Sequence, residues 1–545
     1  MAGRRSWKGH RCFVRANSGR GSVSLIEYDL VVVGGGIAGL RAAIAAAESD
    51  LSVALISRAP FGAHHDGNIR DGLNAPAGDS QIEQFRSDAL AAGTGLADAA
   101  AVSRSADAAV AEAVATEHMG AAYARSADGG LQTFRLGQNS GDYSLRAGWW
   151  TGRAVLNSLL DQACGYAIDG YFEWLPLELH MDEVGVSGLT ALNIRSGQVQ
   201  AFACGNVLLT DGAVGGLYSV SGNARHSAGT AQSLAATAGA VLLDPELVEF
   251  VPGLVSSSPA AAGAVIGDAA AAAGARYSGL RSEPDDIALG AVARALDPGG
   301  GSRVDFSGCV EELELFAPEL RGLLDDDFGA AVVPSAHFAL GGIAPDTGIP
   351  GLHAAGEAAA GSLHGAGLLP GNALLDLLLS AKSAVSRIDP RPAALSERVR
   401  WRAQEGIQLT LAGDSSIDPA VLWNRLRGLM SSNLGLGRDE SGLAAAADQI
   451  AEIGDLARRA APARSGYHFN LELVRLLELR QGVVTAAAIA AGASSRRESR
   501  GPHQRADFPN ADADFADHSA IRFSASGWRS DRWADYEPAA AEVPA

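Results

Sequence analysis

Glycines at 34, 36 and 39, in "VVVGGGIAGLRAA", have the spacing of a backbone that turns tightly and lets a diphosphate reach the N–H groups opening a helix. The plain alternative is a glycine turn that packs a helix on a sheet. A second glycine-rich stretch, "HGAGLLPGNA", carries Gly365, Gly367 and Gly371, and a helical pattern follows it at once. From His364 to Ala373 no side chain bears a fixed charge. That is a loop able to close on a ligand, with nothing in it to hold an anion. The adjacent histidines His64 and His65 stand between them in "GAHHDGNIRDGLNA".

These groups need a scaffold. "YDLVVVGGGIAGLRAAIAAAESDLSVALISR" reads as a buried strand (30–33), the glycine turn, an alanine-rich helix and a second buried strand (53–56), which is one βαβ unit. The second strand ends at Ser57 and Arg58, not at an acid, so spacing leaves NAD and FAD both open. Residues 80–120 and 152–168 read as helical. "LTALNIRSGQVQAFACGNVLLTDGA" reads as a strand pair and a further buried strand, 207–210. Between about 228 and 335 alanine-rich helical pieces alternate with Pro/Gly breaks, as in an inserted domain. Residues 395–490 carry amphipathic helical periodicity at 419–430, 441–460 and 471–492.

The chain has 545 residues, so several domains are expected. With 43 basic against 62 acidic residues its net charge is −19, which argues against nucleic acid and anionic membrane as partners. No apolar run is long enough for a membrane helix. The cysteines Cys12, Cys164, Cys204 and Cys309 are far apart and form no CxxC, which points to a reducing, cytoplasmic setting without metal clusters in this chain. The first residues are basic and lack both acids and an apolar core, and read as a disordered arm rather than a secretory signal.

The segments "VVVGGGIAGLRAAIAAAE", "DGLNAPAGDS", "TGRAVLNSLL", "HFALGGI", "GLHAAGEAA", "HGAGLLPGNALLD" and "RRESRGPHQRADFP" occur in register along the chain. Together they resemble the flavoprotein family of succinate dehydrogenase, fumarate reductase and L-aspartate oxidase. The resemblance implies an α/β fold: a Rossmann-like FAD-binding domain (28–227 and 336–388) interrupted by an α+β capping domain (228–335), then a C-terminal helical bundle (395–490). Residues 1–27 become the basic arm and 491–545 an irregular tail. It implies FAD as cofactor, with Gly34, Gly36 and Gly39 at the pyrophosphate and Ser57 with Arg58 at the adenosine ribose. Backbone around Asp71, Gly72 and Leu73 then lines the flavin ring, Glu357 holds ribityl or ribose hydroxyls, and Asn372, Ala373 and Leu374 clamp the pyrimidine edge. His65 falls where dehydrogenases and fumarate reductases of the family attach FAD covalently. A tether there and a hydrogen-bonded loop histidine are both open readings, and His64 is the other candidate.

The family's dicarboxylate site is where the resemblance fails. "ELVEFVPG" stands for "EFVQFHPTG", so a histidine becomes Val251. "GDAAAAAGA" stands for "TEGARGEGG", and an arginine becomes Ala271. "DIALGAV" stands for "DVVSRAI", so the proton-shuttling arginine becomes Gly290. In "HGAGLLPGNA" the carboxylate-reading arginine becomes Leu368. His337 survives, and Arg276 and Arg294 are the candidates to take over lost roles. Thr230 replaces an aspartate near the flavin, and Trp149-Trp150 either wall an apolar pocket or pack between domains. Burying a carboxylate without a cation costs several kcal/mol, on the order of 3–5 for a broken pair. The expectation is therefore an FAD-dependent dehydrogenase or oxidase for a small substrate other than a C4 dicarboxylate. The electron acceptor is left among oxygen, a quinone and a protein, with an iron–sulfur partner conceivable by analogy. The alternatives are a genuine succinate dehydrogenase, fumarate reductase or aspartate oxidase flavosubunit, and a catalytically silent flavin-binding partner protein.

Overall fold

A computed structural model describes residues 25–535 except 149, 256–273, 283–288, 317, 362 and 525–526. Its centre is a five-stranded sheet in the order Leu352–Ala354, Val207–Leu209, Leu30–Val33, Val53–Ser57, Ile168–Phe172. Every pairing in it is parallel. Such a sheet is covered on both faces, which explains the uninterrupted apolar runs. Leu30 and Val32 point to one face, where Ile37–Glu48, Ala99–His118, Thr151–Ala163 and Asn372–Val385 supply helical cover. Val31 and Val33 point to the other, against the antiparallel strands Trp174–Met181, Val186–Asn193 and Val199–Ala203 and the helix Thr230–Thr237. The nucleotide helix, Ile37–Glu48, is pinned by Arg41, whose guanidinium bonds Glu112 at 2.5 Å inside the helical layer.

The inserted region is built differently from its composition. Where alanine-rich helices are expected, the described residues form a four-stranded antiparallel sheet: Val248–Leu254, Gly329–Ala339, Ser302–Asp305, Arg276–Ser278. Short helices such as Leu289–Ala295 pack on it around Val304, Phe306 and Leu313. The alanine run at 259–273 falls outside the described residues. Val248–Leu254 and Gly329–Ala339 are the two strands that leave the flavin-domain side and enter this cap. A register shift between Glu249 and Phe250 re-aims side chains just where they depart.

Four helices follow: Arg398–Leu411, Pro419–Asn433, Glu440–Arg459 and Leu471–Ser495. Asp418, Asp439 and Asn470 cap three of them by accepting backbone N–H groups at 2.8, 2.8 and 3.0 Å. The tail is not irregular. Ser519–Ser524 and Gly527–Arg532 form a hairpin that pairs with Leu242–Leu243. Its polar composition misleads because Arg496, Glu498, Ser499, His503, Arg505 and Ser519 are interior. Arg496 is fully buried and bonds Asp244 at 2.7 Å, Glu246 at 2.7 Å and Glu498 at 3.0 Å. At the other end, Ile26–Glu27 of the expected arm pairs with Val199–Ala203, and residues 1–24 lie outside the described ones.

Candidate functional site

A cavity of about 340 Å³ runs along the carboxyl ends of the parallel strands, from the glycine turn to the base of the cap. This is the crevice where open α/β sheets take ligands. Gly34 has φ +115°, and a Cβ there would sit 2.5 Å from Thr210 Oγ1. A Cβ on Gly39 would overlap the Gly34 carbonyl, so the helix can lie on the turn only without it. The elongated cavity, the bare turn and the helix N-terminus fit a dinucleotide. One feature departs from that fit. Asp66 accepts the Ile37 N–H through Oδ2 and covers Gly36, and its other oxygen, Oδ1, is buried with no partner.

At the adenosine end Ser57 Oγ meets His64 Nε2 at 2.9 Å, and Arg58 lines the cavity while its Nε donates to Glu478 of the last helix at 2.6 Å. Burial lowers the pKa of His64 and keeps it neutral. His65 differs. Burial opposes its charge, but Glu357 beside it and the charges of Asp66 and Asp211 outweigh that and lift it to about 9. Its Nε2 lies 3.6 Å from Glu357 Oε2, and Glu357 Oε1 accepts the Ala339 N–H at 2.9 Å. Asp211 also lines the cavity, and burial raises its pKa to about 6.

At the far end two expected groups of contacts shrink. Asp71 lines the cavity, but Gly72 is turned toward the Leu145 carbonyl and Leu73 is buried in a two-residue ladder with Leu145. Ala373 lines the cavity, whereas Asn372 accepts from Asn74 Nδ2 at 2.8 Å and Leu374 is core. The loop glycines answer to protein rather than ligand. Side chains on Gly365 and Gly367 would run into backbone at 92–97, and one on Gly371 would strike Asn74. The loop is tight because it closes over the end of the helix Asp79–Ala92.

His337 lines the cavity, its carbonyl accepts Asn223 Nδ2 at 3.0 Å, and burial holds its imidazole neutral. Val251 is buried, and Leu368 packs with Leu96, Leu247 and Phe338. Arg276 is a correction: it lies exposed on the outer strand of the cap, in register with Asp305, and does not line the cavity. Arg294 does not line the cavity either, but it approaches a lost position, its Nη1 lying 3.8 Å from where a Cβ on Gly290 would be. Ala271 and Trp149 fall outside the described residues. Trp150 is exposed, with the Arg70 guanidinium 4.7 Å above its ring, and Thr230 is buried at the start of its helix.

Glu249 was not singled out by the sequence. It sits opposite Phe338, a cavity-lining residue, and its carboxylate fills the space that a side chain on Gly290 would need. Burial raises its pKa to about 7, against the partial relief of Arg294 and of the Leu368 N–H it accepts. The signal was present in "ELVEFVPG", where an acid stands in place of the amide of "EFVQFHPTG".

Comparison with known proteins finds two family matches in this chain: the FAD binding domain over residues 29–279 and the fumarate reductase flavoprotein C-terminal domain over 423–542. The chain is similar to the fumarate reductase flavoprotein subunit of Mycobacterium tuberculosis, 29% identical, covering 92% of this chain and 96% of that one. It is similar to the mitochondrial succinate dehydrogenase flavoprotein subunit of Oryza sativa, 25% identical over 93% of this chain and 89% of the other. Among solved structures, a quinol-fumarate reductase with menaquinol superposes with a TM-score of 0.85 at 25% identity, covering 95% of this chain and all (100%) of that one.

Proposed function

We propose, from the premise that this chain belongs to the flavoprotein family of succinate dehydrogenase and fumarate reductase, that its substrate is not a C4 dicarboxylate but a small neutral or cationic molecule. The chain is an FAD-dependent oxidoreductase of that type. The observation that carries the substrate reading is Glu249: an acid fills the space beside Gly290, against the Leu368 N–H, where the resemblance called for two arginines. A substrate carboxylate brought there would face a carboxylate, and like charges in a dry site repel strongly.

Bound FAD supplies two-electron hydride chemistry. Gly34 and Gly36 would seat its pyrophosphate, with Gly39 letting the helix close on the turn; Ser57 and Arg58 would hold the adenosine side, Glu357 a sugar or ribityl hydroxyl, and Ala373 the ring edge. His337, neutral, offers one N–H and one lone pair to orient a substrate heteroatom. Glu249 takes the substrate proton on its carboxylate, at a pKa near the working pH, and Arg294 favours the ionised form that accepts it. An amine substrate suits this set, since its N–H groups find acceptors. We read His65 as a counter-ion to the cofactor rather than a tether: beside Glu357 its pKa is lifted to about 9, so at neutral pH most of its imidazole is protonated and only a small fraction offers a lone pair. That the solved relative is named as a quinol-fumarate reductase supports a quinone or protein, rather than oxygen, as the electron acceptor. No helix among the described residues is long and apolar enough to cross a membrane.

Arg294 beside Gly290, together with the named relatives, favours the second reading, a genuine fumarate reductase or succinate dehydrogenase flavosubunit. One experiment separates the two. The FAD-loaded protein is mixed anaerobically with succinate, with amino acids and with cyclic amines, and flavin bleaching is followed. Bleaching by amines with none by succinate is expected. Bleaching by succinate, or a flavin spectrum shifted by malonate, overturns the proposal. Flavin that none of them reduces points to the catalytically silent partner.

A further inference from the structure

The seat prepared for the pyrophosphate already holds an anion of the chain's own. Gly36 is the residue whose lack of a side chain lets a diphosphate approach the first N–H groups of Ile37–Glu48. The Asp66 carboxylate stands over it: a Cβ on Gly36 would overlap Oδ2, and the carboxyl carbon would be 3.1 Å away. Oδ2 takes the Ile37 N–H, the group that a phosphate oxygen would take. Asp66 is 8% exposed and lines the same cavity, and its Oδ1 is buried without a hydrogen-bond partner.

We propose that Asp66 competes with the FAD pyrophosphate for the N-terminus of the nucleotide helix, so that the cofactor binds only by moving this carboxylate aside. One N–H cannot serve two anions, and two anions at one helix terminus repel. The surroundings provide a place for the displaced group. Arg153, from Thr151–Ala163, packs against the next residue, with its Cζ 2.7 Å from a Cβ built on Gly67, and Nη1 donates to the Gly62 carbonyl at 3.1 Å. His65 is the second cation in reach of Asp66. On the opposite wall Asp211 and Glu357 repel any further negative charge. The carboxylate thus serves as a substitute ligand that keeps the helix terminus satisfied and sets how tightly FAD is held.

The test is FAD affinity, which needs no substrate and does not depend on the substrate reading. Flavin removed from the purified protein is titrated back while its fluorescence is followed, for wild type, Asp66→Asn and Asp66→Thr. Both variants should bind FAD about tenfold more tightly, the scale of an anion's contact with a helix terminus. Stripped of flavin, they should unfold at lower temperature than wild type, so the stabilisation that FAD adds grows. Unchanged or weaker affinity in both variants overturns the proposal and makes Asp66 a ligand of the cofactor. Failure of both to fold with FAD present also overturns it, since the carboxylate would then be needed after the pyrophosphate is seated.

Discussion

Glu249→Gln gives the most direct access to the cap-side chemistry. A glutamate in the unfolded chain titrates near its ordinary 4.5, and in the fold Glu249 titrates near 7. Between those values the folded chain holds a proton that the unfolded chain has released. Stability therefore falls as pH rises across this window, and the part that this group contributes is fully lost above it. Each tenfold in proton affinity is worth about 1.4 kcal/mol, so ionising this one group costs the fold about 3 kcal/mol. Glutamine keeps the shape and the acceptor oxygen but cannot ionise. Urea unfolding of FAD-loaded wild type and variant, compared at about pH 5 and about pH 8, isolates the effect because other groups titrate alike in both. The two should be close at the acid end, with the variant more stable by about 3 kcal/mol at the alkaline end. Flavin reduction by an amine should rise with pH through about 7 in wild type and be slow and flat in the variant. A variant destabilised mainly at pH 8 would refute the reasoning, because Glu249 and Arg294 would then be a stabilising ion pair.

Arg496→Met removes the cation shared by Asp244, Glu246 and Glu498. His518 still faces Asp244 and Arg500 still faces Glu498, so Glu246 is the acid left alone. A loss of about 3–5 kcal/mol is expected near neutral pH, and less in acid where Glu246 takes a proton; thermal unfolding at the two pH values reads it. Acid precipitation of the holoprotein should leave the flavin in the supernatant, with His65 mostly charged; colour retained in the pellet would restore a tether, at His65 or at the neutral His64.

The nucleotide unit was legible because three signals coincide in it: period, glycine spacing and buried strands whose runs end at turns. The cap was not. Its described core is a sheet of short strands, and Ser302–Asp305 and Arg276–Ser278 carry too few apolar residues to stand out from their alanine-rich surroundings. The tail was misread because composition reports polarity and not place, and Arg496, Glu498 and Arg505 are interior. Within the site, residue types located the cavity wall at Glu357, Asp71 and His337. They could not tell which glycines of 365–371 face a ligand and which face the end of a helix. Glu249 needed three dimensions, since its neighbours Gly290, Arg294 and Leu368 come from two separate parts of the chain.

The buried Arg496 cluster also imposes an order of events. Asp244 and Glu246 emerge from the ribosome some 250 residues before the guanidinium that neutralises them (separations of 252 and 250). Until Arg496 is made, the acids at the root of Val248–Leu254 lack the guanidinium that Asp244 and Glu246 share in the fold. A chain truncated shortly before Arg496 is therefore expected to leave Asp244 and Glu246 buried without that cation, so the base of the cap should be the part that it destabilises most.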